Sequence, residues 1–443
     1  MGGSIAMTTI LRRALLLLVA LGVNGCNSVT ADETVGSGDL GLIEAAMQQV
    51  EKSYVVQVQP DQLVDGALKG MLTKLDPHSD YMTEREYKEL ISTTSGQFGG
   101  VGIEISVEEG VPQVISAIEG TPAAAAGIEP GDRIVKADGQ PIVGMDIGEV
   151  VRRLRGKPGT PVVLTIARAN RPIFDLSITR AIIHVDSVKS ALKPGGIGYV
   201  RISTFDETTP ADLRATLSRL RQQAGGHFSG LVLDLRNDAG GLLDASVEVA
   251  ADFLDSGTVV STRGRDPGEN RVFDAPPNGD LIRGTPIVVL INGASASASE
   301  IVAGALQDNR RATILGTHSF GKGSVQSIIP IEGYGALRLT TALYYTPSGR
   351  SIQGHGISPD RVVAVPKEQQ VANAVMTFES DLFGSLKPTG ALAPKEAPPT
   401  ATPARPIESE IDHPINPKII GTAQDAQLRA ALDLLGMHRA AAR

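Results

Sequence analysis

Short apolar runs alternate with amphipathic segments between residues 198 and 315, and this alternation constrains the fold more than any other feature of the chain. Four runs have the length and composition of buried strands: 198–202, 230–235, 286–291 and 312–315. Three segments between them repeat apolar residues at helical spacing: 211–222, 245–254 and 299–308. Strands joined by helices pair in parallel, because the helix carries the chain back across the sheet. The pattern therefore predicts an α/β core around a largely parallel sheet, with further strands at 326–329 and 336–341.

The first 31 residues have the pattern of an export signal. Arg12 and Arg13 precede a ten-residue apolar run, residues 14–23, which is too short to span a membrane. Cleavage before Cys26 would give a lipid-anchored protein, whereas cleavage after Ala31, with Val29 as the second small residue, would release the protein. We therefore expect a protein of the periplasm or cell envelope, and the choice between a lipid anchor on Cys26 and a soluble form stays open.

Composition excludes several classes of partner and cofactor. The formal net charge of -8 disfavours nucleic acid as a partner. The single cysteine permits neither an internal disulfide nor a cysteine-cluster metal site. No pair among the seven histidines has metal-ligand spacing together with a carboxylate. We expect no metal and no other cofactor.

Residues 32–95 repeat apolar side chains at helical spacing and predict an amino-terminal helical segment. From residue 96 to 182 the chain changes to short β-rich runs, at 101–107, 112–118, 133–135 and 162–167. One helix between them is marked by Ile147, Val150, Val151 and Leu154. Two glycine-bearing motifs accompany the runs: Gly99-Gly100-Val101-Gly102-Ile103 and Pro130-Gly131-Asp132-Arg133-Ile134. The pattern resembles a PDZ domain of the bacterial protease type.

The resemblance to a PDZ domain implies that this region captures substrates by their carboxyl termini. Four residues would hold the terminal carboxylate with their backbone: Gly99, Gly100, Val101 and Gly102. The peptide would add as a strand beside residues 101–107. Three apolar side chains would line a pocket for its last residue: Ile103, Val151 and Leu154. The expected partners are therefore proteins with free, apolar carboxyl termini, and the alternative role of the domain is a rigid spacer.

Three serines alternate where a buried strand turns into a helix: Ser295, Ser297 and Ser299. The free N–H groups and the dipole at a helix amino end stabilise negative charge, which suits a serine alkoxide and a neighbouring oxyanion. Ser and Glu three residues apart also form a capping box, so one of these serines is alternatively a plain helix cap. The residues alone do not choose among the three.

A lysine between two glycines, Lys322, follows the next strand on a loop that a parallel sheet brings near the start of the preceding helix. A lysine acts as a general base only where burial and the lack of a carboxylate partner keep it neutral. Two alternatives remain at this loop. Residues 316–322 match part of a phosphate-binding loop, although Gly323 stands where Ser or Thr should bind magnesium. His318 is a rival general base.

A glycine pair, Gly240 and Gly241, follows the strand at residues 230–235 and precedes a helix. Such a turn can present backbone N–H groups to an anion. The alternative is an ordinary strand-to-helix turn.

Together these motifs resemble those of the carboxyl-terminal processing peptidases, over about residues 40–360. The matching segments are 75–81, 234–241, 295–301, 321–326 and 345–354, behind a PDZ-like domain. The resemblance implies that Ser297 is the nucleophile, Lys322 its general base and Gln326 the residue that orients the lysine. It also implies oxyanion donors from the N–H of Ala298 and from one of Gly240 and Gly241. Asp308 matches a family aspartate, for which we expect a structural role.

The family resemblance implies a protease core of the ClpP/crotonase type and a serine endopeptidase that cleaves envelope proteins at or near their carboxyl termini through an acyl-enzyme. A catalytically inactive PDZ-containing binding or scaffold protein is the alternative. A regulatory adaptor and a homo-oligomer are further expectations. The predicted domains are a leader (1–31), a helical segment (32–95), a PDZ-like domain (96–182), the protease core (183–366), and an extension (367–443) with a Pro-rich linker at 388–406 and a helix at 423–435.

Overall fold

The computed structural model describes residues 37–108, 110–118, 120–184, 186–371, 377–387 and 415–441. The predicted leader and the predicted Pro-rich linker lie outside these ranges. The chain divides after Val64 into two units, of which the first holds α1 (Ser37–Ser53) and the start of α2 (Pro60–Leu72). The region predicted to be helical therefore contains α1 and α2. In the described part of the chain, no helix combines the length and hydropathy needed to cross a membrane.

The second unit begins with elements that lead into the β-rich domain. They are β1 (Asp80–Thr83), α3 (Glu84–Thr94) and β2 (Gln97–Gly100). Helix α3 starts at a reciprocal cap, in which the Thr83 side chain accepts the N–H of Glu86 and the Glu86 carboxylate accepts the N–H of Thr83. Such a box satisfies two N–H groups that the first helical turn leaves unpaired.

The β-rich domain is a sheet with one helix packed against it. Its elements are β3 (Ile103–Glu108), β4 (Val111–Ala117), α4 (Pro122–Ala125), β5 (Arg133–Ala137), β6 (Gln140–Pro141), α5 (Ile147–Leu154), β7 (Pro161–Ala167) and β8 (Phe174–Thr179). The strand order is β3-β4-β5-β7-β8, with β6 beside β5. Alternate residues of β7, such as Val162, Leu164 and Ile166, point into the core and are fully buried. Strand β3 lies at the edge of this sheet.

The following strands form the predicted parallel sheet. The elements that follow β8 are β9 (Ala181–His184), which pairs with β2, then β10 (Val188–Lys193), β11 (Ile197–Ile202), α6 (Thr209–Gln223), β12 (Gly230–Asp234), α7 (Leu243–Ala251), β13 (Gly257–Gly264), β14 (Arg271–Ala275), β15 (Ile287–Ile291), α8 (Ala298–Asp308), β16 (Ala312–Gly316), β17 (Ser324–Ile331), β18 (Gly335–Tyr345), β19 (Arg361–Val362) and α9 (Ala426–Ala441). The parallel sheet contains six of these strands. The sheet order is β10-β11-β12-β15-β16-β19, and every pair after β10-β11 is parallel. The prediction of βαβ units is confirmed.

Both faces of this sheet are covered, which explains why its central strands are apolar throughout. One face packs on α6, α7 and α8, and Leu213, Val249 and Val302 are fully buried there. On the other face, Leu428 and Leu435 of α9 pack against residues of β11, β12, β15 and β16. Burying each leucine contributes about 1.5–3 kcal/mol relative to leaving it exposed. The carboxyl-terminal helix is therefore part of the hydrophobic core around the parallel sheet.

A second sheet, which the sequence patterns did not predict, lies beside the first. It has the order β1-β18-β13-β14, with β17 paired to β18. The predicted strands at 326–329 and 336–341 belong to this sheet as β17 and β18. It matters for the site because β17 begins two residues after Lys322 and so fixes the outgoing end of the lysine loop.

Candidate active site

Ser297 stands at the point where the chain leaves β15 and enters α8. It occupies the amino-terminal cap position of α8, with φ of 55° and ψ of -112°. A non-glycine residue at positive φ is uncommon, and such strain concentrates at functional sites. The side chain lies beside the free N–H groups of the first helical turn, where a developing negative charge is stabilised.

The three alternating serines differ in what their hydroxyls do. Ser295 and Ser299 are completely buried. The Ser295 hydroxyl accepts the Asn292 N–H and donates to the carbonyl of Leu235, and the Ser299 hydroxyl donates to the carbonyl of Asp238. Ser297 is 8% exposed, and its hydroxyl donates no hydrogen bond to any described residue. The geometry thus gives the outer two serines structural roles and leaves the proton of the middle one free for a base.

Glu300 connects the serine with the lysine loop. Its Oε2 atom accepts the N–H of Ser297 at 2.8 Å and the N–H of Lys322 at 2.9 Å. Its Oε1 atom accepts the N–H of Gly321 at 2.7 Å and the hydroxyl of Ser319 at 2.5 Å. Burial raises the pKa of this carboxyl to about 7, although all four donors favour its charged form. The sequence analysis recognised only the capping spacing of Glu300 and missed that it also holds the lysine loop.

Lys322 is half-buried, and within the described residues its ammonium has no carboxylate partner at salt-bridge distance. Its pKa is lowered, first by burial and then by the nearby charge of Arg338. The carboxylates of Glu379, Glu300 and Asp76 oppose this shift without reversing it. The loop therefore provides the environment that a neutral lysine base requires. The N–H groups of Gly321 and Lys322 are bound to Glu300 and cannot cradle a phosphate, which disfavours the phosphate-loop alternative.

Gln326 lies on β17 and donates its amide N–H groups to the hydroxyls of Ser324 and Thr340, at 2.9 and 3.2 Å. No hydrogen bond joins Gln326 to Lys322 within the part of the chain that the structure describes. The rival base His318 binds the carbonyl of Ser319 through Nδ1. Asp308 accepts bonds from Ser348 and Arg350, in line with the structural role expected for it.

The first residue of the glycine pair, Gly240, packs directly against Ser297. A Cβ on Gly240 would lie 2.8 Å from the Ala298 nitrogen and 2.9 Å from the Ser297 Cβ, so only glycine fits there. The N–H of Gly240 donates to Asp238 Oδ1 at 2.8 Å. In this conformation the N–H of Gly240 is therefore occupied, whereas no described residue accepts the N–H of Gly241. Of the two glycines, Gly241 is therefore the better candidate for the second N–H of the predicted oxyanion hole, beside that of Ala298.

A cavity of about 200 Å³ lies between β3 and α5, at the place where the sequence predicts a peptide groove. Most of the predicted residues line it: Gly100, Val101, Gly102, Ile103, Val151 and Leu154. Gly99 does not line the cavity; it pairs with Ile182 in β2, and its carbonyl accepts the N–H of Gly156. Arg155 also lines the cavity and stacks on Phe98, with its guanidinium carbon 4.2 Å from the ring centre.

A buried charge network that the sequence analysis missed lies at the carboxyl end of β12, the strand that precedes Gly240. Arg236 is fully buried and binds the carboxylates of Asp234 and Asp425, each with a closest distance of 2.6 Å. Asp425 directly precedes α9, so the network attaches the carboxyl-terminal helix to the core. The sequence signal for this network was the pair Asp234 and Arg236 at the end of the apolar strand β12.

Comparisons with known proteins agree with this architecture of a peptidase core behind a PDZ domain. The model of peptidase family S41 matches residues 196–363, a PDZ domain model matches 113–168, and the model named activating protease CtpB N-terminal domain matches 21–86. The class of protein is therefore a PDZ-containing peptidase.

Curated relatives make the assignment narrower. A carboxy-terminal-processing protease of Bartonella bacilliformis is 50% identical over 344 residues, which cover 77% of this chain and 79% of the relative. The carboxy-terminal processing protease CtpA of Bacillus subtilis is 33% identical over 365 residues, covering 82% and 76%. The solved structure of a photosystem II D1 C-terminal processing protease is 31% identical and covers 74% of this chain and 94% of that one, with a TM-score of 0.43. The chain belongs to the carboxy-terminal processing proteases of peptidase family S41.

Proposed function

We propose that this protein is a serine endopeptidase in which Ser297 is the nucleophile and Lys322 the general base. One observation carries the proposal: a single oxygen atom of Glu300 accepts the backbone N–H of both residues. This contact brings two residues from separate loops to one point at the amino end of α8. The lowered pKa of Lys322 supports a neutral amine that can accept a proton.

The chemistry follows from these positions. The Ser297 hydroxyl attacks the peptide carbonyl and transfers its proton to the Lys322 amine, while the N–H of Ala298 and that of Gly241 or Gly240 stabilise the oxyanion. Collapse of the intermediate breaks the C–N bond, and the lysine ammonium returns the proton to the leaving amine. Water, deprotonated by the same lysine, then attacks the ester carbonyl. Collapse breaks the bond to Ser297 Oγ, which takes the proton back from the lysine ammonium, and the acid product leaves. Gln326, four residues beyond Lys322, fixes the strand that follows the lysine.

Substrate selection is the proposed task of the PDZ domain. Strand β3 is an edge strand, so a peptide can add beside it through backbone hydrogen bonds. The cavity between β3 and α5 is lined by Ile103, Val151 and Leu154, which suits an apolar last residue. The export pattern of the first 31 residues supports action in the periplasm or envelope, in soluble form or anchored through Cys26. The ClpP/crotonase likeness of the core, the five domain bounds, a regulatory adaptor and a homo-oligomer remain predictions.

Mass spectrometry of cleavage products tests the proposal. The mature protein and its Ser297→Ala and Lys322→Ala variants are incubated with an unstructured protein that ends in apolar residues. We expect cleavage by the parent alone, with both variants folded as judged by circular dichroism. Full activity of Lys322→Ala would refute the assignment of the base. Binding of the intact substrate without cleavage by the parent would favour the alternative of an inactive scaffold.

Amidation of the substrate's carboxyl terminus tests carboxylate capture separately. The amide removes the charge that the Gly100–Gly102 backbone would hold, so we expect strongly slower cleavage. Equal rates for the acid and amide forms would contradict this step while leaving the serine chemistry unaffected.

A further inference from the structure

Glu379 is a completely buried carboxylate that the proposed mechanism does not use. Glu379 begins a single 3-10 turn, Glu379–Asp381, in the carboxyl-terminal extension, and it is 0% exposed. A charge in such surroundings is retained only when hydrogen bonds compensate for its lost hydration. Its partners show what the segment does.

Glu379 holds both ends of the lysine loop. Its backbone N–H donates to the carbonyl of Phe320 at 3.1 Å. Its Oε1 atom accepts the Gln353 amide at 2.7 Å, and the amide oxygen of Gln353 accepts the N–H of Gly323 at 2.9 Å. Phe320 and Gly323 enclose the dipeptide Gly321-Lys322. The position of the base is therefore fixed from the carboxyl-terminal extension as well as from Glu300.

The second carboxylate oxygen of Glu379 extends the contact to the turn that precedes β1. Glu379 Oε2 lies 2.7 Å from Nε2 of His78. The N–H of His78 donates to Asp76 Oδ1 at 2.8 Å, and the same oxygen accepts the hydroxyl of Thr340 at 3.1 Å. Thr340 in turn accepts the amide of Gln326 at 3.2 Å. The hydrogen bonds thus lead from Gly323 to Gln326, which lies on β17. The chain between these two residues closes the ring.

We propose that Glu379 is a positioning residue for the general base, closing a hydrogen-bonded ring through Gln353 and His78 that holds the Lys322 loop against the nucleophile. The catalytic meaning of the ring rests on the proposed serine-lysine chemistry. The ring itself is a property of the described contacts.

The charge of Glu379 also acts on the lysine. The charged groups that face Lys322 are Arg338, which lowers its pKa, and Glu379, Glu300 and Asp76, which raise it, while burial lowers it most. Glu379 stays ionised because the hydrogen bonds from His78 and Gln353 outweigh its burial and hold its own pKa below the usual value. Removing this negative charge destabilises the lysine ammonium. The pKa of Lys322 then falls further.

Amide hydrogen exchange tests the ring without relying on activity. The full chain carrying Ser297→Ala is compared with the same chain carrying Glu379→Gln or Asp381→Asn. Asp381 is an exposed carboxylate in the same turn and serves as the matched control. We expect exchange in residues 320–326 to become about tenfold faster with Glu379→Gln, because a charged buried acceptor is lost, and to be unchanged with Asp381→Asn.

His78→Gln is a second variant, and it leaves the buried Glu379 carboxylate in place. It removes only the outer partner of Glu379, and its side chain is 17% exposed. We expect faster exchange in the same residues 320–326. Unchanged exchange in this segment in folded Glu379→Gln and His78→Gln proteins overturns the proposal, whatever their activity.

Steady-state kinetics of variants that retain Ser297 provide the catalytic test. We expect Glu379→Gln to lower kcat with little change in KM and to move the acidic limb of the kcat pH profile to lower pH, whereas Asp381→Asn leaves both unchanged. An acidic limb at the parent's pH overturns the proposal. If the parent itself cuts no substrate while exchange responds as expected, the proposed function fails and the ring is supported.

Discussion

Asp238 offers a quantitative test of the loop that carries Gly240 and Gly241, the proposed oxyanion donors. Its Oδ1 atom accepts the N–H of Gly240, and its Oδ2 atom is buried without a hydrogen-bond partner among the described residues. Burial raises the pKa of this carboxyl to about 7, against the lowering by the Gly240 N–H, the Ser299 hydroxyl and the charge of Arg201. We expect Asp238→Asn to stabilise the protein at pH 8, because an amide oxygen can accept the same N–H without a buried charge.

The magnitude follows from the two pKa values. The carboxyl titrates near 3.8 in the unfolded chain and near 7 in the folded one, so the folded form binds the extra proton between these values. Stability is therefore lost as the pH rises through this window, at about 1.4 kcal/mol per pH unit. Between pH 5 and pH 7 the loss is about 3 kcal/mol, and above pH 7 it stops growing. The free energy of unfolding of Asp238→Asn relative to the parent should rise by this amount between pH 5 and pH 8.

Urea denaturation at pH 5, 6, 7 and 8 measures this difference in a Ser297→Ala background, which prevents self-digestion. Differences between variants cancel the titration of other buried carboxyls, such as Glu300. The Asp381→Asn change, which removes an exposed carboxylate, is the control. A constant difference between Asp238→Asn and the parent across this pH range would refute the argument that folding raises the pKa of Asp238.

Three further substitutions test other parts of the structure. Arg236→Met should lower the free energy of unfolding by about 3–5 kcal/mol, because two buried carboxylates lose their cation. Urea denaturation measures this loss, and a change below about 1 kcal/mol would contradict the prediction. Glu300→Gln should lower kcat by about a hundredfold in a folded protein, since the serine and the lysine loop lose a shared acceptor; parent-like kcat would show that this anchor is dispensable. Leu154→Lys should weaken binding of a peptide with a free apolar carboxyl terminus by about tenfold, as measured by fluorescence anisotropy, and an unchanged Kd would place the peptide elsewhere.

Local sequence patterns predicted the elements whose partners are neighbours along the chain. The strand expected at 286–291 is Ile287–Ile291, and the helix expected at 299–308 is Ala298–Asp308. Both have a continuous apolar face that fixes their type, and short connections fix their order in the sheet. The proposed nucleophile and base lie at ends of such elements, which is why the sequence motifs brought both to one edge of the sheet.

The elements that the sequence did not predict depend on distant partners. Strands β13 and β14 pair with each other, and β13 also pairs with β18, about eighty residues further on. Glu379 is an isolated polar residue in an irregular segment, and its partner His78 is 301 positions away. No local periodicity marks such a residue. The choice between Gly240 and Gly241 depended in the same way on an acceptor, Asp238, whose orientation no spacing rule specifies.

The position of α9 has a consequence for the order in which the enzyme is made. A ribosome delivers Ser297 and Lys322 well before Asp425 and the helix that follows it. Until then, one face of the parallel sheet lacks Leu428 and Leu435, and Arg236 lacks one of its two carboxylates. A chain that contains the proposed nucleophile and base but not yet α9 therefore cannot complete its core, because domains fold as units. The proposed active site therefore depends on a helix that the chain supplies only well after Lys322, and the core of the parallel sheet waits for it.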